Sequence, residues 1–244
     1  MSEQTHDQKI RELLIERYGS IQRSTFRHRL RFLLKRAGWL IVVKGSYLVK
    51  RVLDIVASTL LLVLLSPLFL AVALAIRIED PGPILFKQTR VGRWGTLFTM
   101  WKFRSMYTDA EERKKELMAQ NEMEGGVIFK MKDDPRVTKV GRIIRKTSID
   151  ELPQLWNVFK GDMSLVGPRP PVPQEVDEYS LSDRRRLEVI PGITCIWQVS
   201  GRSDIPFDQQ VELDVEYIQS QSFWTDVKIL LKTVPALLFG TGAY

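Results

Sequence analysis

The densest run of chemistry-bearing side chains lies between Gly141 and Pro171, GRIIRKTSIDELPQLWNVFKGDMSLVGPRPP. Two adjacent carboxylates, Asp150 and Glu151, follow Arg142, Arg145 and Lys146, and Asp162 and Arg169 come within the next twenty residues. Arg169 is fixed between Pro168 and Pro170, so its guanidinium fork has little freedom to lose on meeting a phosphate. Ser200-Gly201-Arg202 offers another turn-mounted arginine. Both histidines, His6 and His28, sit near the start, and Cys195 is the single cysteine, which excludes an intramolecular disulfide and a cysteine-based zinc site. Carboxylates, rigid arginines and no usable histidine suit phosphoryl transfer, where positioning, charge stabilisation and a divalent metal carry most of the catalysis. A phosphate leaving group with a second pKa of ~6 needs no general acid, and a phosphate nucleophile needs no general base.

The elements that must position these groups read as an α+β fold, mostly helical with a small antiparallel hairpin. Asp80-Pro81-Gly82-Pro83 is strong turn chemistry. Ile84–Arg90 and Thr96–Arg104, rich in β-formers, flank Gly92 and Gly95 and are expected to pair as a hairpin. Residues 108–124 are charged and helix-prone, and further helices are expected at 148–160, 172–190 and 207–219. Ser148–Pro153 marks a helix start in either of two ways: Ser148 and Glu151 as a capping box, or Asp150 as N-cap with Pro153 in the first turn. Both readings put the two acids at the positive end of a helix dipole beside Arg145, where both carboxylates are expected to titrate low. The bland reading of the pair is helix capping alone. Asp214 and Tyr217 lie one turn apart on the last of these helices, with structural hydrogen bonding an equal explanation for them.

Charge and hydropathy place the chain near a membrane. The net charge of +7 belongs to residues 1–51, which hold twelve Lys/Arg against four Asp/Glu, while the remainder is close to neutral. Val52–Ile76 is a 25-residue apolar run with one charge, Asp54. It could span a hydrocarbon core of ~30 Å, but Ser66-Pro67 interrupts it near the middle. Basic residues flank both ends, Lys44, Lys50 and Arg51 before and Arg77 and Lys87 after. Like charge at both ends draws both toward the cytoplasm, so a re-entrant helix-break-helix is favoured over a kinked span or a buried soluble helix. In the arm, Phe26, Leu30, Leu33, Leu34, Ala37 and Ile41 form one helical stripe opposite Arg27, Arg31, Lys35 and Arg36, the pattern of an interfacial helix. In the tail, Val227, Leu230, Leu231, Val234 and Leu238 form a stripe expected to pack into the core. The expected domains are a basic amphipathic arm (1–46), a re-entrant membrane helix (47–80) and a cytosolic catalytic domain (81–244). Nucleic acid is an unfavoured partner, because the body is neutral and the basic arm runs directly into apolar sequence.

Over residues 47–244 the chain resembles the polyprenyl-phosphate phosphoglycosyl transferases of the bacterial sugar transferase family, in their small monotopic form. The resemblance rests on KRVLDIVAS with its Ser-Pro break, FKQTRVGRWGTLFTMWKFRSM, the Gly141–Pro171 run, PGITCIWQVSGR and ELDVEYI, in that order. It implies transfer of a sugar 1-phosphate from a UDP-sugar to undecaprenyl phosphate, giving undecaprenyl diphosphate-sugar and UMP. It further implies a covalent phosphosugar intermediate on Asp150, and Mg²⁺, with Mn²⁺ as the alternative, held by Glu151. Arg145 and Arg169, with Arg202 less firmly, correspond to phosphate-binding positions, and Ser66-Pro67 to the re-entrant break. Asp162, Asp214 and Tyr217 are carried over only as supporting residues. The resemblance places the chain on the cytoplasmic face of a bacterial inner membrane, among its lipids, with a homodimer compatible. Longer members carry a multi-span N-terminal domain that this chain is expected to lack. Glucose or galactose donors are favoured over N-acetylated ones, in exopolysaccharide or O-antigen synthesis. The competing readings are a membrane-bound, metal-dependent phosphohydrolase and a non-catalytic membrane scaffold.

Overall fold

The computed structural model describes residues 26–117, 134–201 and 205–239. Arg202, the second half of the 108–124 segment and the side chains of the arm's apolar stripe lie outside the described residues. The chain divides into two compact units, 1–49 and 50–244. In the first, the residues from Phe26 onward are helical. The second unit holds the remaining elements.

Helix α1 (Phe26–Leu64) stops one residue before α2 (Ser66–Glu79), and the stretch Tyr47–Leu64 meets α2 at a bend of 59°. The break falls at the proline because Pro67 has no N–H to donate to the preceding turn but fits the first turn of a new helix. No single helix among the described residues is long and apolar enough to cross a membrane, though this bent pair passes together by length and composition. Val52, Val56, Leu60, Val63 and Leu64 of α1 and Leu70, Leu74 and Ile78 of α2 are exposed. The buried side of α1 is polar. Lys50, Asp54 and Ser58 recur every four residues on one face: Lys50 Nζ donates to the Val166 carbonyl and pairs with Asp226, Asp54 accepts the Leu165 N–H at 3.0 Å, and Ser58 is fully buried. The lone acid of the apolar run thus accepts a backbone N–H from the middle of the strand Ser164–Val166. On α2, Val72 and Ile76 pack with Phe103 and Ile144, and Phe69 meets Phe103 edge-on at 5.6 Å.

Strands β1 (Leu85–Val91) and β2 (Leu97–Phe103) form the expected antiparallel hairpin, registered from Leu85↔Phe103 to Val91↔Leu97. After β2, α3 (Ala110–Leu117) supplies the described part of the charged helix. Then come α4 (Lys139–Lys146), a 3-10 turn at Ile149–Glu151 and α5 (Gln154–Lys160). Gly141 lets α4 lie against the chain after β2, since a Cβ there would sit 1.9 Å from the Ser105 carbonyl oxygen. The expected helix at 148–160 is therefore divided, and so is that at 172–190. The latter becomes α6 (Pro173–Asp177) and a 3-10 segment at Asp183–Glu188, separated by Glu178–Ser182. A second sheet, unforeseen in the sequence, pairs β3 (Ser164–Val166) in parallel with β4 (Gly192–Thr194). It is followed by α7 (Ile196–Ser200), α8 (Phe207–Ser220) and α9 (Phe223–Phe239).

The tail helix α9 corrects the sequence reading. Among its described side chains the buried apolar one is Ile229, whereas Leu231 and Val234 of the expected core stripe are 69% and 57% exposed and Leu238 lies outside the described side chains. Two polar contacts set this rotation: Asp226 pairs with Lys50, and Thr233 Oγ1 hydrogen-bonds Thr194 Oγ1 at 2.9 Å. Asp226, Ile229 and Thr233, spaced three and four apart, form the inward face.

The Asp54 contact yields a stability prediction. Asp54→Ala leaves the Leu165 N–H without its acceptor, a cost of about 1–3 kcal/mol. Asp54→Asn keeps an oxygen at the same place. In thermal denaturation of detergent-solubilised protein, the alanine variant is expected to melt several degrees lower and the asparagine variant to recover most of the loss. Equal melting of both variants with wild type would remove this anchor from the account.

Candidate active site

The acid pair is positioned by the chain on either side of it. Helix α4 begins at Thr138, whose side chain accepts the Gly141 N–H at 2.8 Å. The carboxylate of Glu79, at the end of α2, accepts two more of its free amides, Lys139 N–H at 2.6 Å and Val140 N–H at 2.8 Å. At the far end of α5, Arg51 of α1 donates to the Val158 and Phe159 carbonyls at 2.6 and 2.7 Å. Between α4 and α5 the chain reverses at Ser148, which adopts φ 55°, ψ 19°. A non-glycine residue in this left-handed region is strained, and here it directs the following 3-10 turn and with it Asp150 and Glu151. Neither expected cap forms: Ser148 makes no side-chain cap bond, and the N-cap of α5 is Pro153. The acids sit before the helix, and Lys102 engages one of them directly.

Lys102, on β2, is a site residue the sequence reading missed. Its Nζ lies 2.6 Å from Glu151 Oε1, joining residues 49 positions apart. Burial raises Glu151, but Lys102 and Arg169 outweigh it and hold the carboxyl down at about 2. Burial pushes Asp150 the other way, up to about 6, with Glu151 adding to the rise and Lys102 and Arg145 opposing it. The expectation that both acids titrate low thus holds for Glu151 and fails for Asp150, because burial outweighs the neighbouring cations there. Arg90, buried on β1, is a second missed cation; burial and the like charge of Arg169 lower it to about 10. It is held by Gln88 Oε1 and the Pro170 carbonyl. A buried guanidinium whose charge is disfavoured beside a second one marks a place where an anion is welcome.

Asp150, Glu151, Arg145, Arg169 and Lys102 line one open cavity of about 1240 Å³. One part of its wall is apolar, with Leu61 and Leu65 beside the helix break and Leu85 and Phe86 on the hairpin. Another part carries Tyr179, Arg186, Gln198, Phe207 and Gln210. The remaining residues singled out in the sequence are elsewhere. Asp162 accepts from Asn157 Nδ2 at 3.1 Å and pairs with Lys160 just after α5. Asp214 is fully buried on Arg186 at 2.6 Å. Tyr217 donates to the Val166 carbonyl and Asp226, within the knot that holds Lys50. Ser66 and Pro67 form the break itself, with Ser66 Oγ bonded to the Val63 carbonyl.

No cluster of three His, Cys, Asp or Glu side chains that could cage a metal occurs among the described residues. Glu151 nevertheless fits one particular ion. Its carboxylate stays ionised and Lys102 occupies one oxygen, and Mg²⁺ is commonly held by one or two carboxylates with substrate phosphates and water completing its shell.

The chain is similar to several known proteins. The chain is 52% identical over 202 residues to the galactosyl transferase CpsE of Streptococcus agalactiae, covering 82% of this chain and 44% of that protein. It is 46% identical over 204 residues to the undecaprenyl-phosphate galactose phosphotransferase of Salmonella typhimurium, covering 82% and 43%. A third relative, the UDP-glucose:undecaprenyl-phosphate glucose-1-phosphate transferase of Caulobacter vibrioides, is 45% identical over 203 residues, covering 80% and 72%. The matched region thus spans less than half the length of the first two. The family model for bacterial sugar transferases matches residues 45–240, from within α1 to the end of α9. With the acid pair, its cations and the broken helix all inside that match, the chain belongs to the bacterial sugar transferase family.

Proposed function

We propose that this chain transfers a sugar 1-phosphate from a UDP-sugar to undecaprenyl phosphate, releasing UMP, at the cytoplasmic face of a membrane that the bent helix pair enters and leaves on the same side. The observation that carries this reading is a single cavity in which two carboxylates and several cations stand together, with an apolar wall beside the broken helix. Such a cavity suits a water-soluble diphosphate and a lipid-borne phosphate meeting at one point. The names of the relatives in Salmonella and Caulobacter support the acceptor and the donor class. The exposed apolar residues of α1, α2 and α9 support membrane seating.

The reaction divides into two displacements at one phosphorus. An Asp150 carboxylate oxygen attacks the sugar-bearing phosphate, the bond to the UMP oxygen breaks, and a phosphosugar is left on Asp150. A phosphate oxygen of undecaprenyl phosphate then attacks the same phosphorus, the Asp150–phosphorus bond breaks, and the free carboxylate returns. Both groups that leave and attack are anions, so no proton transfer is required. A carboxyl at about 6 is mostly ionised at neutral pH yet more basic than an ordinary aspartate, which favours nucleophilic attack. Arg145 and Arg169 hold phosphate oxygens, and Lys102 fixes Glu151 and adds positive charge where negative charge accumulates. Mg²⁺ on Glu151 would neutralise the donor diphosphate.

Asp150→Asn is expected to lower UMP release by a factor on the order of 10⁴ or more. It should also remove the phosphosugar adduct that intact-mass measurement detects on wild type given donor alone; an adduct on the variant would displace Asp150 from this role. Glu151→Gln should flatten the dependence of UMP release on Mg²⁺, and an unchanged Mg²⁺ titration would exclude it as the ligand. The native Cys195 is buried, so single cysteines placed at the exposed Tyr47 and Pro81 can be labelled against little background. Both are expected to react with an impermeant maleimide only from the cytoplasmic side. Labelling from opposite sides would make the bent pair a span.

A further inference from the structure

The hairpin that carries Lys102 is a two-stranded sheet, so the outer edge of β2 turns out backbone groups that a third strand would pair. Asn157 of α5 takes the place of that strand. Its Oδ1 accepts the Trp101 N–H at 3.1 Å, and its Nδ2 donates to the Thr99 carbonyl at 2.7 Å. A primary amide offers a donor and an acceptor side by side, as a peptide unit does, so one side chain closes both groups. Asn157 is fully buried, and water has no access to replace it. Its own backbone is held as firmly, since its carbonyl accepts the Gly161, Asp162 and Met163 N–H groups at 3.0, 3.0 and 3.2 Å.

Asp162 determines which way the amide faces. Its Oδ2 accepts from Asn157 Nδ2 at 3.1 Å. Turned over, the amide would set Oδ1 against the Thr99 and Asp162 oxygens and Nδ2 against the Trp101 N–H, an arrangement without a hydrogen bond. The amide thus brackets the two chain segments that meet at the acid pair. Lys102 follows Trp101 directly on β2, and Glu151 lies on the 3-10 turn that leads into α5. Met100 also packs on Val158 and Met163, but apolar contacts have no direction and tolerate sliding along a strand. Lys102 Nζ must arrive 2.6 Å from Glu151 Oε1. A slip of one residue moves a strand by ~3.3 Å and turns each side chain to the opposite face. The directional bonds at Thr99 and Trp101 supply the register that packing leaves open.

We infer that Asn157, oriented by Asp162, is the positioning residue that sets the register of β2 against α5 and so holds Lys102 on Glu151. Asn157 does not line the cavity, so it acts through Lys102 and not on a ligand. Its importance to the reaction rests on the transferase reading above, whereas its hold on Lys102 is measurable without turnover.

The test uses the full chain in detergent. Asn157→Leu keeps a branched side chain and removes its hydrogen bonds, while Asp162→Ala removes only the orienting oxygen, from a side chain 26% exposed. Acetylation of amines, read by mass spectrometry against the exposed Lys232, reports how firmly Lys102 is held. Lys102 is expected to react up to about tenfold faster in both variants, the equivalent of one lost hydrogen bond. Asp162→Asn, which keeps an acceptor oxygen, should return to the wild-type rate. In turnover, Asn157→Leu should lower kcat/KM for UMP release about tenfold, yet cost nothing further in a Lys102→Met background, where what it positions is already gone. If Asn157→Leu does not fold, Asp162→Ala carries both measurements. Equal losses in the two backgrounds would make Asn157 a packing residue and overturn the inference, as would an unchanged rate of Lys102 acetylation. Wild type that releases no UMP from any UDP-sugar would overturn the transferase reading, and the acetylation rate would still decide whether Asn157 places Lys102.

Discussion

Two neighbouring carboxylates cannot be buried beside each other unless something holds both the backbone and the charge in place, and this constraint shapes the rest of the molecule. The backbone is held from its two ends by the two arms of the broken helix. Glu79, closing α2, caps the start of α4, and Arg51, on α1, caps the end of α5. The acid pair is slung between these two short helices behind the strained Ser148. The charge is held by Lys102, which reaches Glu151 from a strand of the hairpin. One carboxylate is fixed as an anion by its ammonium partner, while the other rises because burial disfavours its charge, with the neighbouring Glu151 anion adding to the rise. Two residues of the same chemistry thus acquire different properties from their surroundings alone.

The same geometry accounts for the composition of the apolar segment. A helix destined only for a hydrocarbon environment has no use for Asp54, and a helix destined only for a protein core would not leave Val56, Leu60 and Val63 in the open. Helix α1 has both faces. One carries Lys50, Asp54 and Ser58 into the β3–α8–α9 region, where their polar groups are satisfied, and the other is apolar and exposed. Because Arg51 and Glu79 sit on the two arms, any change in the angle at Ser66-Pro67 would be felt at both ends of the acid-bearing segment. The break therefore bears on the site as well as on the course of the apolar helix pair.

Much of this was legible in the sequence, where the cause was local. The hairpin strands lie within one residue of Ile84–Arg90 and Thr96–Arg104, because β-formers around Gly92 and Gly95 leave few alternatives. The helix break falls at Ser66-Pro67 because proline cannot donate the missing hydrogen bond. What escaped depended on contacts between distant residues. Lys102 and Glu151 are 49 positions apart, and nothing in FTMWKFR marks its lysine as the partner of that acid. The parallel pairing of three-residue β3 with β4 joins segments too short to announce themselves as strands. The tail stripe misled because periodicity identifies an apolar face but not where it points; Asp226 and Thr233 set the rotation of α9 through partners elsewhere in the chain. The titration of Asp150 was misjudged for a related reason, since the dipole argument assumed a helix start with exposed acids, and the chain supplies a half-buried 3-10 turn.

A cavity of about 1240 Å³ is far larger than a phosphoryl group requires, and its walls differ in kind. The wall at Leu61 and Leu65 is apolar, the acid and cation region offers charge, and in the Tyr179–Phe207 region Arg186 is neutralised by Asp214. Under the proposed reaction, a lipid phosphate and a nucleotide-sugar would both need the charged region. Sharing of that kind favours sequential over simultaneous occupancy, because two polyanions brought together would repel each other at the few cations available. In the proposed reaction, a nucleophile belonging to the protein would remove that conflict, because the first phosphate could leave with its nucleoside before the second arrives. The adjacency of one strongly ionised carboxylate and one more basic carboxylate is what such a sequence of events needs at its centre.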